Sequence, residues 1–384
     1  MTAPASDHVY DVVVSDHVYD VVVVGAGAAG VGVSVALGHA GIENFVVLER
    51  HSVGASFSSW PAETRFITPS FPTNSVGMLD LNSVVIGTSP AVTLEVEHPT
   101  GREYAPFLKA IADYFELPVW EGVDVIRIAK NGEEFEVETT EGFVRAWHVI
   151  WAAGDFQYPL LNGFEGSELC QHTASIDSYA DLDGDDFIVV GGYESGVDVA
   201  SHLAERGKRV RLFDRGSPWE SESSDPSVAL STYSLERTRR PGYAEHVELF
   251  PETSVTSVAA VDDSFEVATE DGLVFRTPVP PLLAGGFEGS HPLVKDLFES
   301  REDGFPLLSE QDESTVVPGI FLCGASVRHD NHVFCFIYKY RQRFAVVAKA
   351  IATSMGLPAE GLEMYRMWGM YLDDLSCCGQ ECVC

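Results

Sequence analysis

Two short stretches constrain this chain more than any other feature: VVVVGAGAAG at Val21–Gly30 and FIVVGGYESG at Phe187–Gly196. Each is an apolar run of the length of a strand buried on both faces, broken by glycines and followed by a helix-forming segment. In the first, Gly25, Gly27 and Gly30 spell G-x-G-x-x-G. The first glycine makes the tight turn, the second lets a pyrophosphate approach the backbone, and the third lets helix and strand pack closely. The helix amino terminus then offers free N–H groups and a positive dipole end to the phosphates. The next strand, Phe45–Leu48, ends at Glu49 and Arg50, and an acid about 20 residues beyond such a turn accepts ribose hydroxyls. Strand, turn, helix, strand and acid are in register, which predicts a dinucleotide site.

In the second stretch Gly191 and Gly196 hold the outer positions, but Tyr193 stands where the middle glycine belongs. A side chain there makes close pyrophosphate approach harder, so this site is expected to be looser or differently posed. Ser195 and Asp198 open the helix, and the following strand ends in Asp214 and Arg215. An acid at that point favours the free ribose hydroxyl of NADH, whereas an arginine suits the 2′-phosphate of NADPH. Both are present, so the choice stays open, and a unit kept only as scaffold is the alternative. Two dinucleotide units imply two facing cofactors, for which FAD with NADPH or NADH is the economical pairing.

The predicted fold class is therefore α/β with two Rossmann-like domains. The FAD domain is discontinuous, at residues 16–159 and 281–372, with an NAD(P)H domain inserted at 160–280. At 384 residues the chain exceeds the usual single core, which agrees with two domains. Ahead of them SDHVYDVVV at Ser6–Val14 recurs at once as Ser15–Val23. Only the second copy runs into the glycines, so residues 1–15 read as a disordered, duplicated extension.

The formal charge is −34, from 58 acids against 24 bases. Repulsion on that scale destabilises a compact state in dilute buffer and is a lever that halophiles use, since concentrated salt screens it. The alternative is an acidic surface aimed at a basic partner, but the acids are spread along the whole chain. Nucleic acid is excluded as a natural ligand. No apolar run approaches the ~18 residues of a membrane helix, and no basic-then-apolar leader precedes the first strand. A soluble, cytoplasmic protein acting on a small molecule is expected, away from membranes, with its oligomeric state, homodimer included, left open.

Beyond the glycine turns, the chain resembles the two-dinucleotide-binding flavoproteins from about Tyr19 to Gly356. Within them it is similar to the flavin-containing monooxygenase-like group, including the CzcD-associated (CzcO-like) oxidoreductases. GASFSSW (Gly54–Trp60) looks like the segment that borders the flavin. VIWAAGDFQYP (Val149–Pro159), which carries Gly154, resembles the A-T-G linker out of the FAD domain, and PLLAGGF (Pro281–Phe287) resembles the matching return. VPGIFLCGAS (Val317–Ser326), with Gly324, looks like the last FAD strand. SFPTNSVGMLDL is similar to the segment in which these monooxygenases carry an active-site asparagine, and Asn74 falls on that position. The resemblance implies a dry oxygen-activating pocket near Asn74 and Trp60; an Asx-turn after Pro72 is the alternative for Asn74.

Departures bear on the reaction. The monooxygenase fingerprint F-x-G-x-x-x-H is met at Phe164 and Gly166, but Cys170 holds the place of the histidine and His172 comes two residues late. Disulfide reductases of this superfamily usually end the last FAD strand in G-D, whereas Ala325 follows Gly324 here. Neither domain contains the C-x-x-C pair that a thioredoxin-reductase mechanism needs. Cys170, Cys323 and Cys335 are isolated and read as buried small hydrophobes. Arg328, His329, His332, Lys339, Arg341 and Arg343 cluster late in an acidic chain. They could lie near the flavin, or form a surface helix paired with local acids.

The remaining four of seven cysteines crowd the last eight residues: Cys377, Cys378, Cys382 and Cys384. The vicinal pair Cys377–Cys378 is similar to that of mercuric reductases. Three readings stand for this tail at residues 373–384. It binds a soft metal through its four thiols, it shuttles electrons as a mobile dithiol, or it is incidental. The favoured reaction is hydride transfer from NAD(P)H to FAD followed by a monooxygenase-like oxidation. A disulfide or soft-metal reductase using Cys377 and Cys378 is the alternative, and a non-catalytic metal-associated flavoprotein is the third reading.

Overall fold

The computed structural model describes residues 17–73, 78–223, 225 and 227–377. Six strands, β1 (Val18–Val24), β2 (Phe45–Glu49), β3 (Val119–Glu121), β4 (Val125–Asn131), β5 (Glu134–Thr139) and β6 (Gly142–Trp151), form one sheet in the order β3-β2-β1-β6-β5-β4. A second sheet, wholly parallel, contains β7 (Gln171–His172), β8 (Asp186–Val190), β9 (Arg209–Phe213), β10 (Val247–Phe250) and β14 (Leu282–Leu283) in the order β10-β9-β8-β14-β7. The meander β11 (Val255–Val261), β12 (Ser264–Thr269) and β13 (Val274–Thr277) stands beside it. After the short pair β15 (Glu299–Ser300) and β16 (Pro306–Leu307), the chain returns to the first sheet as β17 (Ile320–Leu322), parallel to β6. The fold is thus the expected α/β, with a parallel strand set in each of the two sheets and an antiparallel β4–β5–β6 edge on the first.

Strand β6 shows how burial sorts partners along one strand. Over Gly142–Ala146 exposure alternates, and this half pairs antiparallel with β5. Over Val149–Trp151 every residue is buried, and this half pairs parallel with β17. Alternation suits a sheet wet on one face, and a continuous apolar run suits one covered on both. The cover comes from the first Rossmann helix (Ala28–His39), buried at every residue from Ala28 to Leu37. A Cβ added at Gly32 would lie 2.1 Å from the Phe344 ring, so the helix Phe344–Ser354 can sit this close only because Gly32 has no side chain.

The structure corrects two expectations and bears out a third. The chain was expected to re-enter the first domain at residue 281, but Leu282–Leu283 still pairs with β7 and β8. The crossing falls just beyond, where Pro159 and Phe287 bridge antiparallel and the Leu160 amide donates to the Gly286 carbonyl at 3.0 Å. A surface helix was one reading of the late cationic segment, yet Lys339, Arg341 and Arg343 are buried. Asp312, with no exposed surface, accepts Arg343 Nε and Nη2 at 2.9 Å each and meets His329 Nε2 at 2.5 Å. Arg341 instead donates to the carbonyls of Asp80 and Ser83, so it clamps the loop that carries residue 82. Third, the first strand does come from the second SDHVYDVVV copy, though it starts at Val18, earlier than its apolar run. The first copy lies outside the described residues.

Removing one partner of a buried ion pair leaves the other charge uncompensated, at about 3–5 kcal/mol. Asp312→Ala is therefore expected to destabilise the protein by about that much in urea unfolding, whereas Asp303→Ala, at an exposed pair with Arg301, should change stability by at most about 1 kcal/mol. Equal effects would show that the Asp312 cluster is not the stronger anchor.

Candidate functional site

The two glycine turns have nearly the same geometry. Gly25 and Gly191 take φ of +99° and +101°, and each donates its amide to the strand opposite, to Leu48 at 2.8 Å and to Phe213 at 2.9 Å. The carboxylate ending each next strand accepts the following amide: Glu49 from Ala26 and Asp214 from Gly192, both at 2.7 Å. A Cβ at Gly30 would lie 1.8 Å from the Gly25 carbonyl oxygen, and one at Gly196 would lie 1.8 Å from that of Gly191. No side chain fits at either crossing.

At the middle position the backbone conformation is kept despite the side chain. Tyr193 has φ −82° and ψ −162°, close to the −77° and −167° of Gly27. Its hydroxyl donates to the Ala229 carbonyl at 2.8 Å. The second turn is therefore posed like the first. At Gly27 a Cβ would meet nothing within 4 Å, which leaves the open approach a pyrophosphate needs. Beside this turn a cavity of about 280 Å³ is lined by Glu49, Arg50, Val123, Gln157, Tyr158 and Leu293 among others. Arg50 bonds Gln157 and lies 5.5 Å from the centre of the Tyr158 ring. The residues fit a dinucleotide with its phosphates at the helix amino terminus beside Gly27 and its adenosine in this cavity.

A second cleft, of about 290 Å³, opens between the two sheets. Its walls include Phe57, Trp60, Phe66, Phe156, Phe287 and Phe336, and Cys335, Ile337 and Tyr340 come from the late segment. The second Rossmann helix (Glu194–Glu205) contributes Glu194, Ser195 and Asp198. Asp198 joins the halves: its Oδ2 accepts Thr64 Oγ1 at 2.7 Å and its Oδ1 takes Arg237 Nη1 at 2.5 Å. Burial pushes Asp198 up, but hydrogen bonding to His202 and the Arg237 charge outweigh it and hold the carboxyl at about 2. Glu63 accepts Ser178 Oγ at 2.8 Å, the Tyr179 amide at 3.0 Å and Arg206 Nη2 at 3.0 Å across the same boundary.

Asp155, which directly follows Gly154, also lines this cleft. Burial raises its pKa, and the backbone amides of residues 155 and 156 and the charge of Arg328 only partly oppose this. Burial pushes Cys170 up to about 12 and also raises Cys335, whose Sγ lies 3.2 Å from Ser227 Oγ. Cys170, Cys323 and Cys335 are free thiols.

Of the sequence-derived candidates, Trp60 and Ser195 reach the cleft, while Glu49 and Arg50 line the adenosine cavity. Gly154 and Gly324 take φ of +71° and +110°, and Ser290 donates its amide to the Gly154 carbonyl. Arg215 is exposed. Asn74, Cys378, Cys382 and Cys384 lie outside the described residues, and Cys377 ends the short turn Leu375–Cys377. Among the described residues no group of three or more His, Cys, Asp or Glu could hold a metal ion. His329 and His332 belong to the Asp312 cluster and its neighbouring hairpin. Reading by motif missed Asp155, Glu194, Cys335 and the Thr64–Asp198–Arg237 link. An acid directly after the linker glycine was the one available signal.

Two identical substitutions should part. In Gly27→Ala the new methyl enters open space, so the apoprotein melts like the parent but retains less flavin on purification. In Gly30→Ala it strikes the Gly25 carbonyl, costing about 1–3 kcal/mol of apoprotein stability. Parent-like flavin content in Gly27→Ala would remove this turn as the phosphate site.

Known proteins agree with the architecture. Over 112 residues the chain is 35% identical to an uncharacterized CzcO-like oxidoreductase of Geobacillus kaustophilus, a match spanning 28% of this chain and only 32% of that protein. Over 335 residues it is 23% identical to bacilliredoxin reductase Bdr of Bacillus subtilis, covering 86% of this chain and 96% of that one. Among solved structures, the bacillithiol disulfide reductase Bdr (YpdA) of Staphylococcus aureus superposes with a TM-score of 0.71 at 17% identity, over 88% of this chain and 98% of that one. A flavin-containing monooxygenase of Stenotrophomonas maltophilia gives 0.67 at 17% identity over the same shares. At such identities these two structures speak for the fold alone. The family model of the pyridine nucleotide-disulphide oxidoreductases matches residues 22–324, and with its two dinucleotide turns the chain belongs to that family of FAD- and NAD(P)H-dependent oxidoreductases.

Proposed function

We propose that this oxidoreductase takes hydride from NAD(P)H and passes electrons from the flavin directly to a second substrate in the aromatic cleft, in a monooxygenase-type reaction. The observation that carries the reading is the make-up of that cleft. Eight aromatic side chains line it, and its one described thiol, Cys335, is hydrogen-bonded to Ser227 and has its pKa raised by burial. A thiol pushed up in this way is a poor nucleophile and a poor disulfide partner. FAD, when bound, supplies the hydride acceptor and the electrons for the second step. The chain's own residues do the rest. The Gly25–Gly27 turn and Glu49 hold the dinucleotide, Trp60 and Phe66 wall the cleft, and the Asp198–Thr64 bond fixes the nicotinamide-side helix against the flavin side. Asp155, whose pKa burial raises, faces the cleft and is placed to pass a proton to a substrate oxygen developing negative charge. The acidic composition is in keeping with a protein working in concentrated salt.

A second reading, reduction of a disulfide or soft metal through Cys377 and Cys378, draws on the similarity to Bdr over most of the chain. Oxygen uptake decides between them. Under NAD(P)H with candidate small apolar substrates, the first reading expects substrate-dependent oxygen consumption with oxygenated product. NAD(P)H oxidation that needs no oxygen and releases thiols from an added disulfide would overturn it in favour of the second.

Asp155 gives a pH test with a defined sign. A carboxyl raised above its ordinary value of 3.8 is protonated at low pH and loses its proton as pH rises through the raised value. The rate of the oxidative half-reaction is therefore expected to fall with rising pH above that point in the parent. In Asp155→Asn it should be slower and flat, with flavin reduction by NAD(P)H unchanged. A parent-like pH profile in the variant would exclude Asp155 as the acid.

A further inference from the structure

We propose that the second turn is built for NADH rather than NADPH and that Asp214 sets the choice; this rests on the reading of that turn as the pyridine-nucleotide site. Asp214 stands directly after β9, where Glu49 ends β2, and it takes the Gly192 amide at 2.7 Å as Glu49 takes that of Ala26. It is held more firmly still. Its Oδ1 accepts the amides of Gly216 at 2.7 Å and Ser217 at 2.8 Å, while Oδ2 keeps the Gly192 bond. With both oxygens tied to backbone, the carboxylate cannot swing aside to admit a second anion.

The indole of Trp219 limits the room further. A Cβ on Gly192 would lie 2.2 Å from Trp219 Cζ3 and 2.8 Å from the Asp214 Cβ, so ring, turn and acid are in close contact. A ribose hydroxyl can donate to the remaining lone pair of such a carboxylate. A 2′-phosphate would bring about two negative charges against a fixed one, and like charges so placed cost several-fold to many-fold in affinity. The counter-argument is Arg215, which neighbours Asp214. It is exposed, and among the described residues no hydrogen bond or ion pair fixes its side chain. An exposed, unfixed guanidinium offers a weak, salt-screened attraction. The locked acid should therefore win.

Calorimetric titration of the flavin-loaded protein with NAD⁺ and with NADP⁺, at one ionic strength, tests this without turnover. NAD⁺ is expected to bind at least about tenfold more tightly. Asp214→Asn should narrow the gap, chiefly by tightening NADP⁺, and Arg215→Ala should leave the ratio as it was. Tighter NADP⁺ binding by the parent overturns the proposal and leaves the oxidoreductase reading standing. If neither nucleotide binds, the reading of the turn itself has failed. Should Asp214→Asn melt early because the Gly192, Gly216 and Ser217 bonds are weakened, Arg215→Ala still decides. Selective loss of NADP⁺ affinity there would assign the choice to Arg215 and refute Asp214.

Discussion

The structure hangs on one close approach made twice. At Gly30 and again at Gly196 the helix backbone lies so near the carbonyl of the turn's first glycine that a methyl group would stand 1.8 Å from its oxygen. That contact sets the angle at which each helix leaves its strand. It thereby aims the helix amino terminus at the space beyond the carboxyl ends of the strands, where open α/β sheets bind ligands. The acid ending the next strand is drawn to the same spot by a 2.7 Å bond to the turn, at Glu49 and at Asp214 alike. Substitution of either small residue disturbs strand, helix and acid together.

The link between the halves is of a different kind. Glu63 and Thr64 reach from the first half to Ser178, Tyr179, Asp198 and Arg206 of the second. These are charge-assisted hydrogen bonds, part-buried except for the exposed Arg206–Glu63 pair, and such bonds are stronger than neutral ones. They hold the helix that carries Glu194 and Asp198 over the cleft that Trp60 and Phe66 line, so the two halves face each other across it. A domain boundary is usually a place of weak contact. Here it carries the most strongly bonded acid of the cleft, which accords with a site assembled from both halves.

Buried cations gave the largest departure from expectation. Lys339, Arg341 and Arg343 look like a solvated helix face because charged side chains are almost never fully buried without partners. Their partners come from far away in sequence: Asp225 for Lys339, the Asp80 and Ser83 carbonyls for Arg341, and Asp312 for Arg343. None lies at a spacing that a local pattern could reveal. The same holds for Asp155, whose raised pKa depends on aromatic walls contributed by segments more than a hundred residues apart.

The sequence by itself determined the two strand-turn-helix units, their glycines and their terminal acids, because these are local constraints. A tight turn needs positive φ, a close crossing needs the absence of Cβ, and both leave their mark within ten residues. It also determined that the chain belongs with the two-dinucleotide flavoproteins. Tyr193 shows the limit of that local logic: the motif registers a missing glycine, but the backbone still matches that of Gly27, and the phenol bonds the Ala229 carbonyl. Only the tertiary structure decided that the late cations are core, that Leu282–Leu283 closes the second sheet before the chain crosses back, and that Asp155, Glu194, Asp198 and Cys335 share one cleft. Those facts depend on contacts between residues distant along the chain, and burial, charge partnering and pKa are properties of such contacts and not of any stretch of sequence.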